Sequence, residues 1–179
     1  MRDLSQYDNL RNLIKTGDLI EFASRGVIGS AIMAITGKKV SHCSLVVRLP
    51  YNNSERRYII ELIRTGVEFQ LLSNVLQRYN GTAIWYGLKP EYEDLRDSIG
   101  CWAFDELAKH IDYDFGGVIG QLFGRVNLDA KKYFCSEFVD HAYIQAGIIP
   151  PDPSGARRPG EFTNLGIFNS QAHLLGEQL

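Results

Sequence analysis

The sequence has few of the features that mark secreted, membrane-spanning or metal-binding proteins. Its 179 residues include three cysteines, an odd number at positions too far apart for a metal site. We therefore expect free thiols, a reducing compartment, and neither a metal nor another cofactor. The longest apolar run covers residues 26–36, far short of the roughly 20 residues that a membrane span needs. A transmembrane helix is not predicted.

Excess charge of one sign is also missing. The net charge is −2 and the pI is near 6.1, and the basic residues occur in pairs rather than patches. Nothing here favours binding to nucleic acid or to an anionic membrane. The N-terminus is polar and lacks the apolar core of a secretory signal, so a cytoplasmic location is expected. Oligomeric state is not indicated.

The composition, 45% hydrophobic and 22% charged, suits one globular domain spanning residues 1–179. Hydrophobic periodicity predicts a mixture of helices and strands. Helices are expected at about 4–14, 24–36, 73–80, 94–110 and 134–146, and strands at about 18–22, 40–47, 58–63, 67–71 and 82–88. The stretch 112–124 is glycine-rich but lacks a phosphate-loop motif, and the last residues are expected to fray.

One cysteine lies where a helix is predicted to begin. Counting from Cys135, apolar residues recur at three-and-four spacing through position 146, and Gly147 ends the pattern. Unpaired N–H groups and the positive end of the helix dipole favour a thiolate in a first turn. Cys135 is therefore a candidate nucleophile. The alternative is a small buried side chain without chemistry, which is common for cysteine.

A nucleophilic cysteine needs a base, and four histidines compete for that role. His141 lies six residues after Cys135 on the same predicted helix and projects away from it. His110 ends a helix, and His173 lies in the expected loose tail. His42, at the polar end of a predicted strand, is therefore the best candidate, although a lone histidine there can also be structural.

A carboxylate interrupts the apolar strand at 58–63. Burial of a charge without a partner costs several kcal/mol, so Glu61 should have a cationic or hydrogen-bonding partner. If the turn at 50–57 joins a hairpin, Glu61 and His42 become cross-strand neighbours, and Glu61 can orient the imidazole. The residues leave open a simpler pairing of Glu61 with Arg64.

With these residues in place, the sequence resembles the circularly permuted, papain-like branch of the NlpC-type cysteine peptidase superfamily, the YiiX-like group. The order of the motifs carries the resemblance, because histidine and acid precede the cysteine as the permuted branch requires. The matching stretches are residues 17–20 (GDLI), 41–47 (SHCSLVV), 60–62 (IEL), 66–67 (GV), 113–114 (YD), 133–139 (YFCSEFV) and 159–162 (PGEF).

The resemblance implies an α+β, papain-like fold in which a strongly bent antiparallel sheet packs against helices. Cys135 would be the nucleophile, His42 the base and later the acid, and Glu61 the orienting group, with the Cys135 backbone N–H as an oxyanion donor. We predict substrate-binding positions at Tyr113, Tyr133 and Ser136. The sequence departs from the family in one place, since Phe134 precedes the cysteine where a tyrosine is frequent.

Three functions follow as alternatives. The preferred one is an amidase or peptidase that cleaves a small or cell-wall-type peptide through an acyl-enzyme. The second is acyl transfer or hydrolysis on lipids, because relatives of the lecithin retinol acyltransferase type use the same scaffold and the apolar stretch 26–36 would provide lipid contact. Those relatives usually have a second histidine in place of Glu61, which favours the peptidase. The third is a binding module that has lost its chemistry. The expected partner is a peptide or a small acyl substrate.

Overall fold

The computed structural model describes residues 2–63, 66–111, 134–155 and 157–176. The helices are α1 (Ser5–Leu10), α2 (Val27–Thr36), α3 (Leu72–Arg78), α4 (Arg96–Ile111) and α5 (Phe134–Gln145), with short 3-10 helices at Pro90–Leu95 and Phe162–Leu165. The strands are β1 (Leu19–Ser24), β2 (His42–Tyr51), β3 (Ser54–Ile63), β4 (Gly66–Leu71), β5 (Gly81–Leu88) and β6 (Phe168–Leu175). The predicted mixture of helices and strands is confirmed.

The six strands form one sheet in the order β4-β3-β2-β1-β5-β6, and every neighbouring pair is antiparallel. The predicted hairpin between β2 and β3 is present but tighter than expected. Its loop consists of Asn52 and Asn53, which both have positive φ angles. Asparagine tolerates this left-handed conformation, and two such residues suit the twist of a hairpin.

Helices cover both faces of the sheet, as expected for an α+β fold. On one face, α5 packs on β2 and β3 and α4 packs on β4, and the core on this face includes Leu19, Cys43 and Leu45. On the other face, α1 packs on β6 and α3 packs on β3 and β4, and the core on this face includes Ile20 and Val46, which alternate with the residues of the first core. The period-two alternation of the strands thus separates two cores.

The expectation that His173 lies in a loose tail is wrong, whereas the expected fraying of the last three residues lies outside the described residues. Residues 168–175 form the edge strand β6, and Leu174 and Leu175 are buried in the core on the α1 side. An edge strand exposes much of its surface and can therefore be polar. The polar run from Asn169 to Gln171 is the reason why the hydrophobic pattern did not predict this strand. The prediction about the glycine-rich stretch 112–124 lies outside the described residues.

A buried ionic network fixes the beginning of β1 and, with it, helix α5. The carboxylate of Asp18 accepts hydrogen bonds from Arg96 Nη1 and from Trp85 Nε1, both at 2.8 Å. Next to it, the hydroxyl of Tyr143 on α5 donates to the backbone oxygen of Gly17 at 2.9 Å. Gly17 has φ of +85° and would place a Cβ 2.7 Å from Ile99, so only glycine suits this contact.

Candidate active site

Cys135 lies in the first turn of α5, as the periodicity predicts. The helix rests on β2 and β3 through Phe138, Val139 and Ala142, which are all buried. Besides the Tyr143 contact, a buried ion pair of 2.6 Å between Asp140 and Arg157 fixes the helix. Cys135 itself is only 6% exposed. Because its helix is held at several points, the sulfur has a defined position against the sheet.

His42 and Glu61 are in direct contact. The Nε2 atom of His42 is hydrogen-bonded to Oε2 of Glu61, which also accepts a hydrogen bond of 2.6 Å from the Ser44 hydroxyl. The last paired residues of β2 and β3 are Leu45 and Ile60, and one further step in this register brings Ser44 opposite Glu61. The hairpin therefore positions the carboxylate diagonally from His42.

The imidazole of His42 lies between Glu61 and the sulfur of Cys135. Since Nε2 is taken by Glu61, Nδ1 is the nitrogen left for the sulfur. Burial alone would lower the pKa of His42, but the negative charges of Cys135 and Glu61 and its hydrogen bonds to both raise that pKa well above its ordinary value. The burial is incomplete, because 26% of the side chain is exposed. His42 is therefore a protonated imidazolium near neutral pH.

The pKa of the Cys135 thiol shifts in the opposite direction. A hydrogen bond from the Cys43 thiol has the largest effect, and the charge and hydrogen bond of His42 and the Cys43 backbone N–H act in the same direction. Together they outweigh burial and hold the pKa of Cys135 well below its usual range. A thiolate beside an imidazolium is the result, which is the reactive form of a cysteine nucleophile.

Glu61 is buried, and neighbouring groups compensate its negative charge. Burial raises its pKa, but hydrogen bonds from His42 and Ser44 and the charges of His42 and Arg78 outweigh that effect and lower the pKa. Gln70 Nε2 also approaches the other carboxylate oxygen at 3.4 Å. Glu61 thus remains an anion that orients and stabilises the His42 imidazolium.

The comparisons with known proteins identify the family of the chain. Residues 13–155 match the model of the permuted papain-like amidase family, the YaeF/YiiX, C92 family. The chain belongs to this permuted papain-like amidase family. No curated protein matches the sequence.

Among solved structures, the chain is similar to that of metalloprotein yiiX from Escherichia coli O157:H7. The TM-score is 0.52 at 22% sequence identity, and the match covers 74% of this chain and 66% of that one. This likeness supports the papain-like α+β fold, so the fold expected from the sequence is confirmed for this member of the family. In the described part of the chain, no three His, Cys, Asp or Glu side chains are grouped to hold a metal ion.

The structure brings together three of the six residues that were predicted for the site, namely Cys135, His42 and Glu61. Ser136 follows the nucleophile and is fully buried, and its role in substrate binding stays a prediction. Tyr113 and Tyr133 lie outside the described residues. Of the helices that the structure describes, none is long and apolar enough to cross a bilayer.

Two site residues were missed at the sequence level. Cys43 follows His42 on β2, where side chains alternate between the two faces of the sheet, yet it donates hydrogen bonds to the Cys135 sulfur. The pairing of β2 with β3 ends at Leu45, so both residues at the start of β2 can reach the sulfur. The only signal in the sequence was the adjacency of Cys43 to the candidate base.

The second missed residue is Glu21, which lies opposite Cys43 in the register of β1 and β2. It is 1% exposed and accepts a hydrogen bond of 2.7 Å from the Gly160 backbone N–H. Burial and the nearby Cys135 charge raise the pKa of Glu21 to about 7, although the Gly160 hydrogen bond opposes the shift. A carboxyl group that is half protonated near neutral pH therefore lies beside the nucleophile.

Substitution of Glu21 by glutamine should flatten the pH dependence of stability. In the wild-type protein, the folded state holds a proton on Glu21 between pH 4.5 and about 7 that the unfolded state has lost. The free energy of unfolding should thus fall by about 3 kcal/mol across this window as the pH rises. Glu21→Gln should lack this decrease.

Urea unfolding of both proteins at intervals from pH 4.5 to pH 8 would measure the difference. Glu91→Gln is the matched control, since its side chain is 60% exposed and it should leave the wild-type slope unchanged. Parallel pH profiles for Glu21→Gln and the wild-type protein would contradict the assignment.

Proposed function

We propose that this member of the family is a cysteine amidase or peptidase that cleaves an amide bond through an acyl-enzyme on Cys135. One observation carries the proposal: a cysteine in a helix's first turn, with its pKa lowered, is hydrogen-bonded to a histidine that in turn contacts a buried carboxylate. A nucleophile, an acid–base group and an orienting group in this order are the parts that acyl transfer requires.

The reaction begins from the ion pair. The Cys135 thiolate attacks the amide carbonyl carbon, and the carbonyl electrons move to oxygen to give a tetrahedral oxyanion. The Cys135 backbone N–H lies in the first helical turn, where amide groups have no partner within the helix, and it is the expected donor to this oxyanion. When the C–N bond breaks, the His42 imidazolium transfers its proton to the departing nitrogen, which leaves as an amine. A thioester to Cys135 remains.

Hydrolysis of the thioester reverses these roles. Neutral His42 takes a proton from water, whose oxygen attacks the thioester carbonyl carbon. Collapse of the second tetrahedral intermediate expels the Cys135 thiolate and releases the carboxylic acid, and the ion pair is restored. Glu61 keeps the ring oriented in both steps because its Oε2 atom holds Nε2 while Nδ1 faces the sulfur.

A small or cell-wall-type peptide is the substrate class that we propose. Support comes from the family, described as amidases, and from Glu61, an acidic orienting residue in place of a second histidine. Since the three cysteines in the described ranges are free, we further propose that the enzyme acts in a reducing compartment such as the cytoplasm. Disulfide formation at Cys135 would remove the nucleophile.

Acyl transfer from a lipid is a second candidate, favoured by one surface feature. Helix α2 has the sequence VIGSAIMAIT, and its first residue, Val27, is 88% exposed. Val27, together with the apolar sequence of the helix, is the feature on which we base the proposed contact with an acyl chain. The same Cys135 thioester would then form from an ester rather than an amide.

Trapping of the acyl-enzyme tests both candidates. The protein is incubated with a panel of short peptides and, separately, with labelled phospholipid vesicles, then quenched in acid. Peptide mapping by mass spectrometry locates the adduct. An acyl group on Cys135 with release of an amine supports the amidase, whereas transfer from the lipid alone would favour the second candidate. A covalent adduct on a different residue would overturn both.

A further inference from the structure

A second thiol contacts the nucleophile. Cys43 is fully buried, and its side chain and its backbone N–H both donate hydrogen bonds to the Cys135 sulfur. Its side chain lies on the same face of the sheet as Leu45 and Val47, in the core that α5 covers. Two donors from one residue thus converge on the atom that attacks the substrate.

The position of Cys43 in the sheet explains how both donors reach the sulfur. The paired register of β2 with β3 ends at Leu45 and Ile60, so Cys43 lies beyond the last pair on that side. On its other side, Cys43 is paired with Glu21 of β1. The first turn of α5 rests on this strand end, and the Cys135 sulfur accepts the N–H that no β3 residue takes in this register.

The two cysteines differ in protonation state. Burial and the negative charges of Cys135, Glu21 and Glu61 raise the pKa of Cys43 well above its ordinary value, so Cys43 stays protonated. A neutral thiol is a weak donor in water, but a donor to an anion in a buried site is considerably stronger. Cys43 therefore remains a donor at the pH at which Cys135 is a thiolate.

We propose that Cys43 is a positioning residue of the active site, which holds the Cys135 sulfur as a thiolate by donating to it from its thiol and its backbone N–H. The proposal rests on the proposed function only in treating Cys135 as the nucleophile. Part of the activation of Cys135 then comes from Cys43, so that the ion pair with His42 is not the sole source of the thiolate.

The test measures the rate at which iodoacetamide alkylates Cys135 from pH 5 to pH 10. Cys101→Ser serves as the background in which an exposed thiol on α4 has been removed, and it should leave the profile of Cys135 unchanged. Cys43→Ala should slow alkylation about tenfold at pH 6 and change it little at pH 10, because the thiolate fraction falls only on the acid side. Cys43→Ser restores a donor and should recover most of the rate at pH 6.

Two results would overturn the proposal. Equal rates for Cys43→Ala and the background at pH 6 would show that the thiol does not stabilise the thiolate. A rate that falls by the same factor at every pH would show a packing role alone. Alkylation needs no substrate, so absence of amide turnover with an intact alkylation profile would remove the proposed function and leave Cys43's role in place.

If Cys43→Ala fails to fold, Raman spectroscopy on a protein that keeps both Cys43 and Cys135 tests the same hydrogen bond. In the Cys101→Ser protein, the Raman S–H stretch of Cys43 should lie at the low frequency of a hydrogen-bonded donor. It should move to higher frequency once Cys135 has been alkylated, because a thioether is a poorer acceptor than a thiolate. An S–H band that stays at the same frequency would refute the hydrogen bond.

Discussion

Cys135→Ala should abolish amide hydrolysis and leave the fold intact. The substitution removes the only atom that bonds to the substrate in the proposed reaction, so the rate should fall on the order of 10⁴-fold or more. Unfolding free energy should change by no more than about 1 kcal/mol, because alanine suits the first turn of a helix held by Tyr143 and Asp140. Turnover of the peptide identified by acyl-enzyme trapping, together with urea unfolding, measures the two effects.

Cys101→Ala is the matched control for this experiment. It removes a thiol that is exposed on α4 and should retain wild-type turnover. Cys135→Ser provides a second comparison, since a hydroxyl at this position stays protonated at neutral pH and should be nearly as inactive as alanine. Wild-type activity in Cys135→Ala would place the reaction at another site.

The helix that carries Cys135 could be predicted because two independent signals coincide there. The apolar periodicity after Cys135 defines the buried face, and Gly147, which has φ of +73°, supplies the stop. Glu61 could be predicted for a related reason, since an isolated carboxylate in an apolar strand requires a partner. Apolar periodicity and the free-energy cost of burying an unpaired charge can both be assessed from the sequence without tertiary structure.

The residues that the sequence did not reveal depend on distant contacts. Cys43 joins the site only because the pairing of β2 and β3 ends at Leu45 and α5 rests on the strand end. Glu21 belongs to the site only because it is buried near Cys135 and accepts a hydrogen bond from the Gly160 N–H, 139 positions away. Alternation along a strand predicts which face a side chain occupies, but not where a ladder ends or what is packed above it.

The same limit explains the missed strand β6. Its residues pair with β5 through two register shifts, and its exposed positions are polar, so neither alternation nor hydrophobicity marks it. The ionic network at Asp18 was missed for a similar reason. Asp18 and Arg96 are 78 positions apart, and each alone is an ordinary charged residue next to a predicted element.

His42→Ala should reduce turnover more than Glu61→Gln. Alanine removes the group that donates the proton to the leaving amine, a loss on the order of 10³-fold or more. Glutamine keeps an oxygen that can accept from Ser44, whose hydroxyl holds the carboxylate at 2.6 Å. The ring of His42 thus stays oriented in Glu61→Gln but loses its neighbouring negative charge, and we expect a decrease of roughly 10²-fold.

The pH–rate profile separates orientation from electrostatics. The negative charge of Glu61 helps to raise the pKa of His42, so its removal should lower that pKa. On the alkaline limb, activity declines as His42 loses its proton, and this limb should therefore move to lower pH in Glu61→Gln. Gln70→Ala is a useful comparison, since Gln70 contacts Glu61 only at 3.4 Å and carries no charge. A larger loss in Glu61→Gln than in His42→Ala would make Glu61 the proton carrier, and an unshifted alkaline limb would mean that its charge does not act on His42.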